Sequence, residues 1–211
     1  MNEQRHHHIA SPTMINSFIC ATFGALTVMS AVGLDKDGML AMGIIRLMLG
    51  IIFFLGALIN IFKGIPNGNL NLISAVCFGL FAGVHISISA LDGVWGVEWQ
   101  PLIFCIVQFF GGLYILLLLP ALLDSSLYAW FGQMTGALGL MCQASYGMTM
   151  LPLFRYLYGF FFFLYTLLNI YSGLSAVIPE LKQGPDARVV IQRYFGKKKK
   201  DATDKSEFMA I

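Results

Sequence analysis

The chain has 211 residues, of which 57% are hydrophobic and only 11% are charged, with a formal net charge of +2. An ordinary soluble domain carries about 25% charged residues. A soluble globular fold could not cover this much apolar surface, so the composition favours a protein whose main solvent is a lipid bilayer.

Six apolar runs are long enough to cross a membrane as helices, which takes about 20 residues. Two stretches, Leu47–Ile61 and Leu113–Leu119, are apolar on every face, which excludes the alternating pattern of a membrane barrel. We therefore predict an all-α polytopic membrane protein with six transmembrane helices within residues 15–178. In chain order the predicted spans are Ile15–Leu34, Met39–Phe62, Leu70–Leu91, Pro101–Leu123, Tyr128–Gly147 and Leu153–Ile178.

The two ends of the chain predict its orientation. The tail 179–211 is basic and contains Lys197–Lys200, and lysine-rich ends stay on the cytoplasmic side. An even number of spans then makes the N-terminal segment 1–14 cytoplasmic too, and we expect an integral protein of the plasma (inner) membrane. His6–His8, native or an added tag, lack acidic or cysteine partners, so we expect no metal and no cofactor.

An internal repeat is the most informative pattern in the sequence. Residues 46–64 align without gaps on residues 155–173, with an arginine, a glycine, a Phe-Phe-Leu run, an asparagine and a closing glycine in register. The preceding spans share Gly-Ala-Leu at 24–26 and 136–138. We predict three repeated two-helix hairpins around a central path, with the third and fourth spans as the middle copy.

Polar side chains inside membrane spans are costly and are therefore candidates for function. Asn60 and Asn169 occupy equivalent positions in the repeat, and they either hold helices together or line the path. His85 could sense protons, since histidine titrates near pH 6.5, or could simply be hydrogen-bonded to a neighbouring helix. Arg46 and Arg155 lie near span ends, where long side chains reach back to the membrane interface. Because both recur in the repeat, a structural role is favoured over substrate binding.

Four short motifs in and around the second and third predicted spans occur in the same order as in a known family of membrane proteins. Asp37-Gly38 precedes the second span, Leu-Ala-Met-Gly opens it at 40–43, Gly68-Asn69 forms a loop, and an aromatic-Gly-x-Phe follows within Cys77–Phe81. In this order the chain resembles the acetate uptake transporter (succinate-acetate permease) family, most clearly over residues 37–83.

The resemblance implies a homo-oligomer, hexameric in that family, in which each protomer has its own path for small monocarboxylates such as acetate. Permeation would be proton-coupled or channel-like. By position, Phe78 in the third span matches the constriction aromatic of that family, Phe18 is the match in the first span, and Leu138 is the match in the fifth.

A second resemblance, to another family, points to a different solute. Residues 96–101 look like the Gly-Leu-Asp-Trp-Arg-Pro stretch of amide and acid-activated urea channels, which would make a neutral amide the solute. We see no catalytic constellation and expect no enzyme. The expected partners are a small-molecule solute, membrane lipid and other copies of the chain, but no nucleic acid; a scaffold subunit that transports nothing is the remaining alternative.

Overall fold

The computed structural model describes residues 13–64, 68–92, 101–178, 180–181 and 184–193. Most of the predicted N-terminal segment, including His6–His8, lies outside this part of the chain. So do the channel-like stretch before Pro101 and the basic run Lys197–Lys200.

The described residues are helical and contain no strand. The helices are α1 (Thr13–Val32), α2 (Lys36–Phe62), α3 (Gly68–Ala90), α4 (Pro101–Leu118, extended by a 3-10 turn Leu119–Leu122), α5 (Leu127–Thr149) and α6 (Pro152–Ser175). Helix α3 is not uniform, because its middle part Ala75–Phe81 is a π-helix. A short helix also covers residues 187–193. The predicted all-α class is confirmed.

Five of these helices, α1, α2, α3, α4 and α6, are long and apolar enough to cross a membrane. The predicted fifth span corresponds to α5, which has 23 residues but is not among the five. Its glycines and amides, including Gly132, Gln133, Gly136, Gly139 and Gln143, explain the lower hydropathy.

Local sequence explains where several helices begin and end. Asp35 caps α2, its carboxylate oxygen accepting from the Gly38 amide at 2.8 Å, as acidic N-caps commonly do. Pro152 opens α6, a position where the missing amide hydrogen costs nothing. Gly64 follows α2 with a positive φ of 67°, a conformation that glycine adopts without strain.

Each of the six long helices packs against its two neighbours in the order α1, α2, α3, α4, α5, α6 and back to α1. The most extensive contacts pair α2 with α3, α4 with α5, and α6 with both α1 and α5. Large buried side chains fill the centre of this bundle, among them Phe23, Phe53, Phe78, Phe162 and Tyr165. The three-hairpin arrangement remains a prediction. At the level of these buried side chains the centre of the bundle is closed.

The contact between α2 and α3 depends on glycine. A Cβ atom added to Gly50 would lie 2.8 Å from the carbonyl carbon of Gly79, and one added to Gly83 would lie 2.7 Å from the Leu47 nitrogen. The two backbones are therefore in direct contact, as small residues allow between membrane helices.

The C-terminal segment 184–193 docks at the end of the bundle where α5 begins. Backbone amides of Ala187 and Arg188 donate to the carbonyls of Ser125 and Leu123, at 3.1 and 2.8 Å. The Arg188 side chain also pairs with Asp124 at 2.9 Å, although both groups are largely exposed. This segment therefore lies beside the turn between α4 and α5.

Candidate functional site

A polar cavity of about 130 Å³ opens at the end of the bundle where α1, α3 and α5 begin and α2, α4 and α6 end. Five amide side chains line it, here called the amide layer: Asn16, Asn60, Asn71, Gln133 and Asn169. Three serines, Tyr128, Cys20 and a few aliphatic residues complete the wall. None of the lining residues in the described part of the chain is charged.

The two repeat-related asparagines both face this cavity. Asn60 is almost fully buried, and its Oδ1 has no hydrogen-bond partner among the described residues. Asn169 donates from Nδ2 to the Tyr165 carbonyl at 2.8 Å. Asn16, across from them on α1, has an unpartnered Nδ2. Buried amides normally find partners, so the cavity offers a donor and an acceptor to a small polar molecule.

A cluster of rings closes the inner side of the cavity. This aromatic layer consists of Phe23, Phe53, Phe78, Phe162 and Tyr165, all 1% exposed or less. The Phe78 ring stacks on Tyr165 at 5.5 Å and meets Phe162 edge-on at 5.9 Å. The remaining pair, Phe23 and Phe53, lies with ring centroids 6.3 Å apart.

Four helices build these two layers with the same spacing. Each pairs an asparagine with a phenylalanine seven residues away: 16 with 23 on α1, 60 with 53 on α2, 71 with 78 on α3, and 169 with 162 on α6. Seven residues make two turns of an α-helix, so on α1, α2 and α6 both side chains share a face about 10 Å apart. On α3 the interval runs into the π-helix that begins at Ala75. On α5 and α4 the equivalent pairs are Gln133 with Leu140 and Leu122 with Ile115.

Glycines of α5 make room for these rings. A Cβ on Gly136 would lie 2.7 Å from the Tyr165 ring, and one on Gly139 would lie 2.9 Å from the Phe162 ring. The glycines that lower the hydropathy of α5 are thus required for the packing of the aromatic layer.

Arg46 lies on the far side of the aromatic layer from the cavity. Its Nη2 donates to the Phe23 carbonyl at 2.7 Å and to the Thr27 hydroxyl, and its Nη1 reaches the Phe78 carbonyl at 3.4 Å. The side chain is 1% exposed, so the prediction that it reaches back to the membrane interface is wrong. Backbone carbonyls inside the bundle lie within reach and replace the interface as hydrogen-bond acceptors.

The repeat-related Arg155 behaves differently. Its Nε donates to the Ala31 carbonyl at 2.6 Å and its Nη2 to the Val32 carbonyl at 3.0 Å. These are terminal carbonyls of α1, which have no partner within the helix. Arg155 therefore caps α1, whereas Arg46 is enclosed in the core.

The structure brings three of the six predicted path residues together: Asn60, Asn169 and Phe78. Phe18 does not join them, because it is 66% exposed on the outer face of α1, where it lines an apolar groove with Ile170. Five residues turn a helix by about 140°, so Phe23 points inwards in its place.

The other two predicted path residues also lie outside the cavity lining. His85 packs against Phe104 of α4, with ring centroids 4.9 Å apart. Leu138 is only half-buried, whereas its neighbour Ala137 is fully buried in the core. Neither side chain belongs to the aromatic layer, because His85 packs against α4 and Leu138 is only partly buried.

Several site residues were missed, including Phe53, Phe162, Tyr165 and Asn71. The seven-residue spacing between asparagine and phenylalanine is a signal that would have found all but Tyr165. Among the described residues, no group of three or more histidine, cysteine or acidic side chains could hold a metal ion.

Comparisons with protein-family models, with curated proteins and with solved structures find no match for this chain. The geometry of the cavity and the aromatic layer is therefore what indicates the class of protein.

Proposed function

We propose that this chain is a membrane transporter or channel for small monocarboxylates such as acetate, with succinate as a larger candidate solute. The observation that supports this most directly is the amide-lined cavity that ends on the aromatic layer inside the helix bundle. A polar recess followed by an apolar constriction is one way in which membrane pathways admit a solute and exclude others.

The proposal includes all six long helices as spans, with α5 shielded from lipid by its neighbours. The cavity end carries Lys63 and the Arg188 segment, which favours a cytoplasmic location for this end and for both termini. The plasma (inner) membrane and a homo-oligomer, hexameric by family resemblance, belong to the same proposal.

The size and chemistry of the cavity fit small solutes. By the same measure of volume one water molecule needs about 10–15 Å³, so the cavity has room for a molecule with the four heavy atoms of acetate. The unpartnered Asn16 Nδ2 would donate to a carboxylate oxygen, and the unpartnered Asn60 Oδ1 would accept from the hydroxyl of the protonated acid.

A neutral amide such as urea is the second candidate. The specific observation in its favour is that the lining residues of the cavity in the described part of the chain are all uncharged. Amide side chains can satisfy every donor and acceptor of another amide.

A flux assay in liposomes separates these candidates. Purified protein is reconstituted, and uptake of labelled acetate and of labelled urea is measured at acidic and at neutral pH, with empty liposomes to subtract the leak of free acid. Acetate-selective flux that acid stimulates supports the monocarboxylate proposal. Urea flux moves the protein to the amide-channel class, and flux of neither solute favours a scaffold subunit.

The same assay tests the cavity itself. Asn60→Leu removes a buried hydrogen-bonding group from the wall, and we expect flux to fall roughly tenfold, as the loss of one such interaction implies. Asn69→Leu is the matched control, because Asn69 is exposed on α3 and does not line the cavity. Equal fluxes in the two variants would contradict a path through the amide layer.

A further inference from the structure

The guanidinium of Arg46 is a positive charge enclosed in the core of an apolar bundle. Its partners in the described part of the chain are the Phe23 and Phe78 carbonyls and the Thr27 hydroxyl, none of which is an anion. The Nε atom is buried and has no acceptor there. An uncompensated charge at this depth is costly, and the nearest acidic residues along α2, Asp35 and Asp37, lie about two to three turns away.

The position of Arg46 relative to the aromatic layer is informative. Two of its three acceptors are backbone carbonyls of aromatic-layer residues, Phe23 and Phe78. Its carbon Cζ also lies 5.9 Å from the centre of the Phe23 ring. Any solute that passes the rings from the amide layer therefore meets this guanidinium next.

Polar groups continue beyond Arg46 towards the opposite end of the bundle. The Ser30 hydroxyl donates to the Thr27 carbonyl at 2.7 Å and lies close to the buried Tyr158 side chain of α6. The Tyr158 ring lies 6.0 Å from that of Tyr146. The guanidinium therefore lies between the aromatic layer and a second group of polar side chains, Ser30, Tyr158 and Tyr146.

We propose that Arg46 is a carboxylate-binding site in the path, and that it selects ionised monocarboxylates over neutral molecules of the same shape. Guanidinium groups bind carboxylates through paired charge-assisted hydrogen bonds, and the unpartnered Nε can donate the first of them. Nη2, on the same edge of the group, donates the second when the solute replaces the Thr27 hydroxyl as its acceptor. This inference rests on the proposed transport function and adds a specificity residue to it. It also explains how a cavity with an uncharged wall can serve an anionic solute. The positive charge that binds the solute, on Arg46, lies on the other side of the aromatic layer.

Acetate and acetamide test this inference, since they have the same shape and differ in charge. Both fluxes are measured in liposomes at about pH 7.5, where acetate is ionised. Arg46→Gln is expected to lower the ratio of acetate to acetamide flux about tenfold or more. Arg46→Lys keeps the charge but loses the planar fork, so we expect a smaller fall in the same ratio.

Arg155→Gln is the matched control, because it removes the repeat-related arginine that caps α1 and should leave the flux ratio unchanged. An unchanged ratio in Arg46→Gln, or equal losses of both fluxes, would overturn the inference while the transport proposal stands. If Arg46→Gln fails to fold, the ratio in Arg46→Lys decides in the same way. Wild-type protein that carries neither solute would overturn the transport proposal itself.

Discussion

Phe78 contacts several helices at the level where the centre of the bundle is closed. It contacts Phe162 and Tyr165 of α6 and approaches Gly136 of α5, while its backbone carbonyl accepts from Arg46. This residue of α3 thus contacts three other helices at the level where the centre is closed, two through its side chain and one through its carbonyl. If a path passes through this level, the Phe78 ring controls its width.

Shortening Phe78 should open the aromatic layer. Phe78→Ala is expected to raise the flux of small solutes and to admit larger ones, while costing about 3–5 kcal/mol of stability. The measurement compares the sizes of solutes that enter liposomes, with Phe110→Ala as the control, since Phe110 is 62% exposed on α4. Phe78→Leu serves if the alanine variant does not fold. Unchanged size selectivity in a folded variant would contradict a role for this ring as the constriction.

At the level of elements, the pair α2 and α3 is held by backbone contact rather than by interlocking side chains. Gly50 and Gly79 lie against each other, so neither can accept a larger residue without the helices moving apart. Arg46 and Phe78 belong to the same two helices, and a change in this contact would disturb both.

Gly50→Ala should therefore destabilise the protein by about 1–3 kcal/mol, the usual cost of overpacking. Gly132→Ala is the matched control on α5, because a Cβ there would meet its nearest neighbours at 3.7 Å, an ordinary contact. Thermal unfolding of both variants in detergent checks this. Similar melting temperatures for the two would show that α2 and α3 separate more easily than their spacing implies.

The sequence predicted helices well because apolar length alone defines a membrane-spanning element. The predicted span Met39–Phe62 and the observed helix Lys36–Phe62 end at the same residue. The repeat correctly placed Asn60 and Asn169 at one level of the molecule, since equal spacing along equivalent helices gives equal depth.

Rotation about each helix axis was harder to predict than depth. Phe18 and Phe23 are both aromatic residues in an apolar helix, and only packing against α2 and α6 decides which of them faces inwards. Arg46 and Arg155 match in the repeat, yet one is enclosed and the other caps α1. That difference arises from the carbonyls that each guanidinium finds, and no pattern in the sequence reports it.

At the scale of the whole molecule, the C-terminal segment is attached to the wall of the cavity. Ala187 is fully buried, and its amide donates to Ser125, which lines the cavity together with Tyr128. A Cβ on Gly184 would lie 2.5 Å from the Tyr128 ring, so the segment also packs against that side chain.

Placing a charge at position 187 should release this segment. Ala187→Glu would bury a carboxylate without a partner, which is strongly unfavourable, and we expect faster trypsin cleavage after Arg188 and Arg193. Val189→Glu is the control, because Val189 is 52% exposed and the same charge there meets solvent. Cleavage at the same rate in the two variants would indicate that the segment is not held by the contact at Ala187.

The π-helix in α3 includes one residue of the aromatic layer. A π-helix holds more residues per turn than an α-helix, so the part Ala75–Phe81 carries surplus chain that the rest of α3 lacks. Phe78 lies inside this wide turn, so the direction in which its ring leaves α3 is set by a segment that does not follow the α-helical spacing of the residues on either side.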